Sequence, residues 1–288
     1  MVAIGEKLDI FAPEARICMQ CATCASRCPS LPHNSFNIRK MMRMMQLGMI
    51  DEIIRDGSLW SCALCLECCQ YCPLGIKTSS IITALRKLAA QKGFMPKPAI
   101  YFTRNTLKHG RPLALPAEEM TSWSQGLNLP REGERIFYAG IYPIMDHAEL
   151  MLRISLKMPE GRFRFLSRIL IVLQRFGLDG LALKLGQKGK PGTVFRSSLV
   201  NAVKVLSRLK VDVAYLREEE PWCGIELHTY GLMDEFARHA AKVTRKLRDS
   251  GVKEIITTDI LSAIAFRNFY PEVIDSFELS VVELEEKN

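Results

Sequence analysis

Apolar side chains recur with helical spacing in two stretches of the first third of the chain. In the first stretch they stand at Ile38, Met41, Met42, Met45, Met49 and Ile53. Such a stripe is typical of an amphipathic helix that buries one face. Asn34 or Ser35 is positioned to cap the start of this helix, and Gly57 lies near its expected end.

The second stretch predicts another amphipathic helix. Its apolar side carries Ile81, Ile82, Leu85, Leu88 and Ala89. Thr78 or Ser79 is positioned to cap this helix, and Gly93 to terminate it. The two helices predict an all-helical first domain over residues 1–95.

The second half of the chain has a different pattern. Short apolar runs of strand length at 135–142, 211–216 and 254–260 alternate with helical patterns near 147–157, 163–185 and 231–249. This alternation is typical of an α/β layer with a parallel sheet. Five prolines are scattered between positions 96 and 130. We therefore expect a proline-containing linker over residues 96–134 and an α/β domain over residues 135–288.

The most apolar segment, residues 163–185, does not predict a membrane span. Arg164, Arg168 and Arg175 interrupt it, whereas a span needs about 18 uninterrupted apolar residues. We interpret it as a buried or partner-facing helix, with Ile169, Leu170 and Leu173 on the apolar face.

The charge distribution bears on the kind of partner, and the N-terminal residues bear on the expected compartment. The formal net charge is +8, but the basic residues are spread along the chain without an interleaved stripe of aromatics, which argues against nucleic-acid binding. The N-terminal residues lack the charged and apolar segments of a secretory signal, so we expect a reducing cytoplasm. Cysteines clustered in that compartment are typically metal ligands or redox groups, not disulfides.

Eight of the ten cysteines form two identical runs. Cys18, Cys21, Cys24 and Cys28 are followed by Pro29, and Cys62, Cys65, Cys68 and Cys72 are followed by Pro73. This is the spacing of two-cluster ferredoxins, in which three thiolates hold one 4Fe–4S cluster and the fourth reaches the other. The predicted ligand sets are Cys18, Cys21, Cys24 and Cys72 for the first cluster, and Cys62, Cys65, Cys68 and Cys28 for the second.

Two alternatives to this assignment stay open. Paired C-x2-C units also build zinc sites, although zinc leaves the repeat of eight cysteines unexplained. Within the second run, Cys69 can replace Cys68 as a ligand. The match to the first run favours Cys68.

The stretches ICMQCATCASRCP, IRKMMRMMQLG and LWSCALCLECCQYCPLGI resemble the iron–sulfur C-type subunits of heterodisulfide reductases. The iron–sulfur subunit of succinate dehydrogenases has a similar helical ferredoxin module. The resemblance implies an α-helical ferredoxin domain with two 4Fe–4S clusters. It also implies a role in electron relay between a flavin- or ferredoxin-bearing subunit and a catalytic one, with no substrate of the chain's own.

The second half is similar to one repeat of the cysteine-rich CCG domain found in the B-type subunits of the same reductases. The similar segments are FYAGIYP, EEEPWCGIELHTYG, GVKEIITTDILSA and FRNFYPEV. Where that family has cluster ligands, this chain has Ile141, Trp222, Asp259 and Ser262, and only Cys223 is kept. The resemblance implies a degenerate, parallel-sheet CCG fold without a cluster, which docks a B-type subunit.

The resulting hypothesis is a cytoplasmic, non-catalytic electron-transfer subunit of a soluble heterodisulfide-reductase-like complex of sulfur metabolism. Its partners would be a flavin-containing A-type subunit and a catalytic B-type subunit. One alternative is a thiol-disulfide or sulfur-transfer enzyme that uses Cys223 or Cys69. Another is an assembly scaffold with structural clusters. Cys223, His228 and Asp259 also form a candidate mixed zinc site.

Overall fold

The computed structural model describes residues 13–33, 36–113, 117–146, 194–274 and 279–283. The chain divides into two compact units. The first comprises the described residues up to Thr103 together with Glu226–Glu235, and the second comprises the other described residues. A short segment from the second half of the sequence thus belongs to the first unit. The domain boundaries at 95 and 134 stay predictions.

The described part of the first unit is helical. Its helices are α1 (Thr23–Ser26), α2 (Ile38–Gln46), α3 (Ile50–Asp56), α4 (Glu67–Gln70), α5 (Thr78–Gln91) and the start of α6 (Lys97–His109). Short 3-10 turns at Pro13–Ile17, Leu31–His33 and Ser58–Ser61 connect them. The helical character expected for this region is confirmed.

The methionine stripe forms two helices, so the prediction of a single helix was wrong. The α2 helix ends at Gln46, and Gly48 takes a left-handed conformation with φ of 74° before α3 begins. Only glycine adopts this conformation without a steric penalty. The N-cap is Asn37, whose side chain accepts a hydrogen bond from the backbone N–H of Lys40 at 3.1 Å. The predicted caps Asn34 and Ser35 lie outside the described residues.

The predicted stripes meet in one core. Both faces contribute to it, through Ile38, Met41, Met42, Met45, Ile53, Ile81, Ile82, Leu85 and Ala89, which are all buried. Each of the buried Ile, Leu and Met side chains contributes about 1.5–3 kcal/mol of burial free energy. Five cysteines of the two runs pack against this core: Cys18, Cys24, Cys28, Cys62 and Cys72. The core is therefore the wall that supports both runs.

The α5 helix begins one residue earlier than a side-chain cap at Thr78 or Ser79 requires. Its N-cap residue is Lys77, which makes no side-chain capping hydrogen bond, so this prediction was wrong. The helix ends as predicted, because Gly93 follows it with φ of 78°.

The second unit contains a small parallel sheet. Its strands are β1 (Arg135–Tyr138), β2 (Glu254–Thr257) and β3 (Ser280–Glu283), in the order β1-β2-β3. Ile136 pairs with Ile255, and Ile255 with Val281, both in parallel register. The parallel sheet expected for this half is confirmed.

Further helices follow along the rest of the chain, of which most of α9 and the first residues of α10 fall in the segment Glu226–Glu235 of the first unit. They are α7 (Ala117–Thr121), a helical segment at 142–146, α8 (Val194–Arg208), α9 (Ile225–Thr229), α10 (Met233–Asp249), α11 (Ile260–Ile264) and α12 (Tyr270–Val273), with a π-helical turn at Ala265–Phe269. Phe137 and Ile256 of the sheet pack with Leu199 and Val203 of α8 in one buried cluster. This packing buries one face of the sheet.

All three predicted strands differ from the structure. The run at 135–142 is a strand only from Arg135 to Tyr138. Residues 211–216 form no strand and contribute only an isolated bridge between Ala214 and Ile136. The run at 254–260 is a strand only to Thr257, because the Asp259 side chain accepts a hydrogen bond from the Leu261 N–H and starts α11.

Some predictions concern residues outside the described parts of the chain. These are the predicted helices near 147–157 and 163–185, the second of which carries the predicted apolar face with Ile169, Leu170 and Leu173. Among the helices that the structure does describe, none is both long enough and apolar enough to cross a membrane.

Candidate metal centre

The two cysteine runs fold into loops with the same backbone conformation. Gln20 and Ala22 have φ of 60° and 70°, and Leu64 and Leu66 have φ of 53° and 67°. These residues occupy the second and fourth positions after Cys18 in one loop and after Cys62 in the other. A left-handed conformation costs a residue with a side chain about 1–2 kcal/mol. Its use at equivalent positions indicates that both loops meet the same structural requirement.

The equivalence extends beyond the loops. Each run continues into a one-turn helix, α1 or α4, whose second residue is the third cysteine, Cys24 or Cys68. The backbone N–H of Cys28 donates to the Ala25 carbonyl at 3.3 Å, and that of Cys72 donates to the Cys69 carbonyl at 3.4 Å. Cys69 is therefore the structural equivalent of Ala25, not of a repeated cysteine.

One pocket brings the fourth cysteine of the first run to three cysteines of the second. It encloses about 410 Å³ of space, part of it open to solvent, and Cys28, Cys62, Cys65 and Cys68 line it. Phe36 contributes to its apolar wall. These four thiols are the set that the spacing predicts for the second cluster.

For the other predicted ligand set, the structure brings three of the four thiols together. Burial, followed by the charges of Cys18 and Cys21, raises the pKa of Cys24, so these three thiols interact with one another. Cys21 is exposed. At the ends of the two runs, the Arg27 guanidinium stacks 3.6 Å from the centre of the Tyr71 ring. That Cys72 completes this set stays a prediction.

Cys69 does not line the pocket. Its Sγ accepts a hydrogen bond from the Ser79 N–H at 3.2 Å and lies 3.6 Å from the Thr78 hydroxyl. Burial acts to raise the pKa of Cys69, but these hydrogen bonds outweigh it, and the pKa is lowered. The thiol is thus held by α5 and does not line the pocket, although it interacts with the side chain of the neighbouring Cys68.

The pocket disfavours free thiolates, which bears on the kind of ligand it can hold. Burial raises the pKa of Cys62, and it raises the pKa of Cys68 to about 12. Four thiolates in this space therefore need positive charge among them, which bound metal supplies. A set made only of sulfur donors suits iron–sulfur clusters or zinc, and not hard cations. The residues present fit a 4Fe–4S cluster.

Four of the five positions compared with CCG ligands converge in the second unit, where hydrogen bonds join Ile141, Cys223, Asp259 and Ser262. Asp259 Oδ2 accepts from the Ile141 N–H at 3.0 Å and lies 2.6 Å from the Ser262 hydroxyl. The same hydroxyl lies 3.4 Å from the Sγ of Cys223, which is fully buried. A Cβ atom at Gly140 would overlap the Asp259 carboxylate. This carboxylate fills the space at the end of β1.

Glu220 closes the same end of β1. Its carboxylate accepts hydrogen bonds from the N–H groups of Ala139 at 2.9 Å and Gly140 at 3.1 Å. Burial raises the pKa of Glu220 to about 8, against the opposing effect of these donors and Arg111. The role of this carboxyl is not apparent from the sequence, because a run of three glutamates is typical of a solvated surface.

The candidate zinc site gains no support. Within the described ranges of the chain, no group of three or more His, Cys, Asp or Glu side chains, the thiols of the cysteine runs included, is arranged to hold a single metal ion. A 4Fe–4S cluster does not require such convergence, because each of its four irons takes its own thiolate. His228 belongs to the first unit, whereas Cys223 and Asp259 belong to the second. Burial lowers the pKa of His228 to about 4.

Comparison with known proteins places the cysteine runs in a family. The family model of the 4Fe-4S dicluster domain matches residues 14–76. The iron–sulfur C subunit of the CoB–CoM heterodisulfide reductase of Methanopyrus kandleri is 40% identical over 94 residues, which cover 33% of this chain and 48% of that protein. The C subunit of the ferredoxin/F(420)H(2)-dependent CoB–CoM heterodisulfide reductase of Methanosarcina acetivorans is 33% identical over 117 residues, covering 41% of this chain and 68% of that protein.

A further relative has a similar name. The C2 subunit of the H(2)/formate:CoB–CoM heterodisulfide,ferredoxin reductase of Methanococcus maripaludis is 39% identical over 105 residues, covering 36% of this chain and 55% of that protein. The chain spans about half the length of the first of these curated relatives. The dicluster match and the names of the relatives support 4Fe–4S clusters and an iron–sulfur electron-transfer subunit.

Replacing Glu220 with Gln is expected to remove a pH dependence of stability. The pKa of Glu220 is about 8 in the folded protein and ordinarily 4.5. Because the unfolded chain ionises first, the stability contribution is present below about pH 4.5 and is lost as the pH rises to about 8, by at most about 1.4 kcal/mol per pH unit.

Denaturant unfolding of the full chain at about pH 5 and about pH 8 measures this loss. The exposed neighbour Glu219 is the control, because a hydrogen bond from Lys246 lowers its pKa. The Glu219→Gln variant should lose stability over this pH range as the wild type does. If the difference in unfolding free energy between the wild type and Glu220→Gln stays constant across this pH range, the pKa of Glu220 is not raised.

Proposed function

The chain belongs to the family of iron–sulfur C-type subunits of heterodisulfide reductases, and from that premise we propose that it is the electron-transfer subunit of a heterodisulfide-reductase-like complex. It would hold two 4Fe–4S clusters and stand between a flavin-containing A-type subunit and a catalytic B-type subunit. The observation that carries the proposal is the pocket where Cys28 joins Cys62, Cys65 and Cys68.

The proposed ligand sets are interleaved. Cys18, Cys21, Cys24 and Cys72 would hold one cluster, and Cys62, Cys65, Cys68 and Cys28 the other. The equivalent left-handed loops and one-turn helices support two equivalent sites. When bound, the clusters would supply one-electron transfer.

The protein itself would contribute to electron transfer by fixing the positions of the two cluster sites. Exchange of the fourth ligand ties each run to the other, so that the two sites stay close and fixed. Both runs rest on the core of α2, α3 and α5. The second cysteine of each run, Cys21 and Cys65, is exposed. Each proposed site therefore has an edge that a redox partner can approach.

The second unit is proposed to hold no cluster and to serve in docking. At the place compared with the CCG cluster site, the Asp259 carboxylate is hydrogen-bonded to the Ser262 hydroxyl and to the Ile141 N–H. Cys223 is fully buried, so a substrate has no direct route to its thiol. This arrangement favours a degenerate CCG-type fold over a thiol-disulfide or sulfur-transfer enzyme.

Reversible redox chemistry separates a relay from a structural scaffold. An anaerobic redox titration of the full chain, followed by electron paramagnetic resonance, is expected to show two one-electron transitions that retrace on reoxidation. Relay sites must cycle without loss of iron, whereas structural clusters need not. Clusters that fail to reduce, or that disassemble on reduction, would contradict the proposed function.

The ligand exchange has its own test in two serine variants. Cys28→Ser is expected to impair the cluster held by the second run, although residue 28 lies in the first. Cys69→Ser is the matched control, and it should keep the iron content of the wild type because Cys69 lies outside the pocket. Resonance Raman and iron analysis of both variants provide the measurement. Loss of iron in Cys69→Ser together with full iron in Cys28→Ser would contradict the assignment of Cys28 as a cluster ligand.

A further inference from the structure

Arg86 is a buried cation on the apolar face of α5. It is buried in this helix as Ile82, Leu85 and Ala89 are, and only 1% of the residue is exposed. A buried charge is costly unless an opposite charge or several hydrogen bonds compensate it. Within the described part of the chain, the structure gives Arg86 no carboxylate partner.

Backbone carbonyl groups hold the guanidinium. Nη1 donates to the Thr229 carbonyl at 2.9 Å, and Nη2 donates to the Cys62 carbonyl at 2.6 Å and the Leu59 carbonyl at 3.2 Å. The buried Nε has no hydrogen-bond partner among the described residues. Carbonyl dipoles disperse the positive charge, but they do not neutralise it.

Aromatic rings cover the guanidinium. The Arg86 Cζ lies 5.4 Å from the centre of the Trp60 ring, and that ring lies 5.9 Å from the Tyr230 ring. The backbone at Gly231 approaches α5 so closely that a Cβ atom at this position would overlap the backbone nitrogen of Lys87. This cover excludes water and keeps the local dielectric low, so the charge acts over a longer range than at the surface.

The guanidinium contacts a residue that lines the thiol pocket. Nη2 binds the carbonyl of Cys62, whose Sγ lines the pocket with Cys28, Cys65 and Cys68. A guanidinium keeps its proton even when buried. The positive charge is therefore permanent.

We propose that Arg86 is the counter-charge of the cluster held by Cys28, Cys62, Cys65 and Cys68, and that it raises the reduction potential of that cluster. The inference rests on the proposed function. A cluster with four thiolates carries a net charge of about −2 when oxidised and about −3 when reduced. A fixed positive charge nearby stabilises the reduced form more, so removing it makes the potential more negative.

Three substitutions at Arg86 separate charge from packing. Arg86→Gln keeps hydrogen-bond donors without the charge, Arg86→Met keeps only the length, and Arg86→Lys keeps the charge. The matched control is Lys87→Met, which removes one positive charge from the next residue, where 42% of the side chain is exposed. Each full-length variant is prepared anaerobically, assayed for iron, and titrated by electron paramagnetic resonance.

One of the two transitions is expected to move in the neutral variants. At the wild-type midpoint potential, the ratio of reduced to oxidised cluster should fall about tenfold in Arg86→Gln and Arg86→Met. It should change less than about threefold in Arg86→Lys, and less than about twofold in Lys87→Met because solvent screens that charge. The shift in Arg86→Gln should persist at high salt.

Three results would overturn the inference. One is full iron in Arg86→Gln with both transitions unchanged. The second is an equal shift in Arg86→Lys and Arg86→Gln, which would assign the effect to geometry and not to charge. The third is loss of iron in all three Arg86 variants, which would make the residue structural. A wild-type chain without iron would instead contradict the proposed function itself.

Discussion

The structure depends on one geometric constraint of a 4Fe–4S cluster, whose four irons point apart. A turn with C-x2-C-x2-C spacing can cap three of them, and the fourth ligand must come from elsewhere. Two such turns meet this need when each supplies the other's fourth thiolate. The pocket that unites Cys28 with the second run, the equivalent left-handed loops and the shared core behind both runs are consistent with this exchange.

Electrostatics gives the two halves of the chain opposite characters. In the first unit, four thiols face a space where burial raises the pKa of Cys62 and Cys68, so thiolates there require positive charge. Bound iron and the buried Arg86 would supply that charge. In the second unit, carboxyl groups of Asp259 and Glu220 accept the backbone N–H groups at the end of β1. These hydrogen bonds satisfy that end of the strand without a metal.

Sequence periodicity and spacing predicted the parts of the structure that depend on local patterns. The methionine stripe marked the core, and the cysteine spacing grouped the thiols that line the pocket. Periodicity did not reveal the break at Gly48, because the apolar residues of α2 and α3 continue one stripe across it. It also missed the membership of Glu226–Glu235 in the first unit, which depends on long-range packing. Arg86 left one signal, a charged residue within an apolar helical face, but its carbonyl partners are distant in sequence.

The amount of iron and acid-labile sulfide per chain tests the central claim most directly. Anaerobically prepared full-length protein is expected to hold about eight iron and about eight sulfide, as two clusters of four irons require. About four iron per chain would show that the two runs share a single cluster. Zinc in place of iron would show that the paired cysteines hold isolated ions, and would contradict the account.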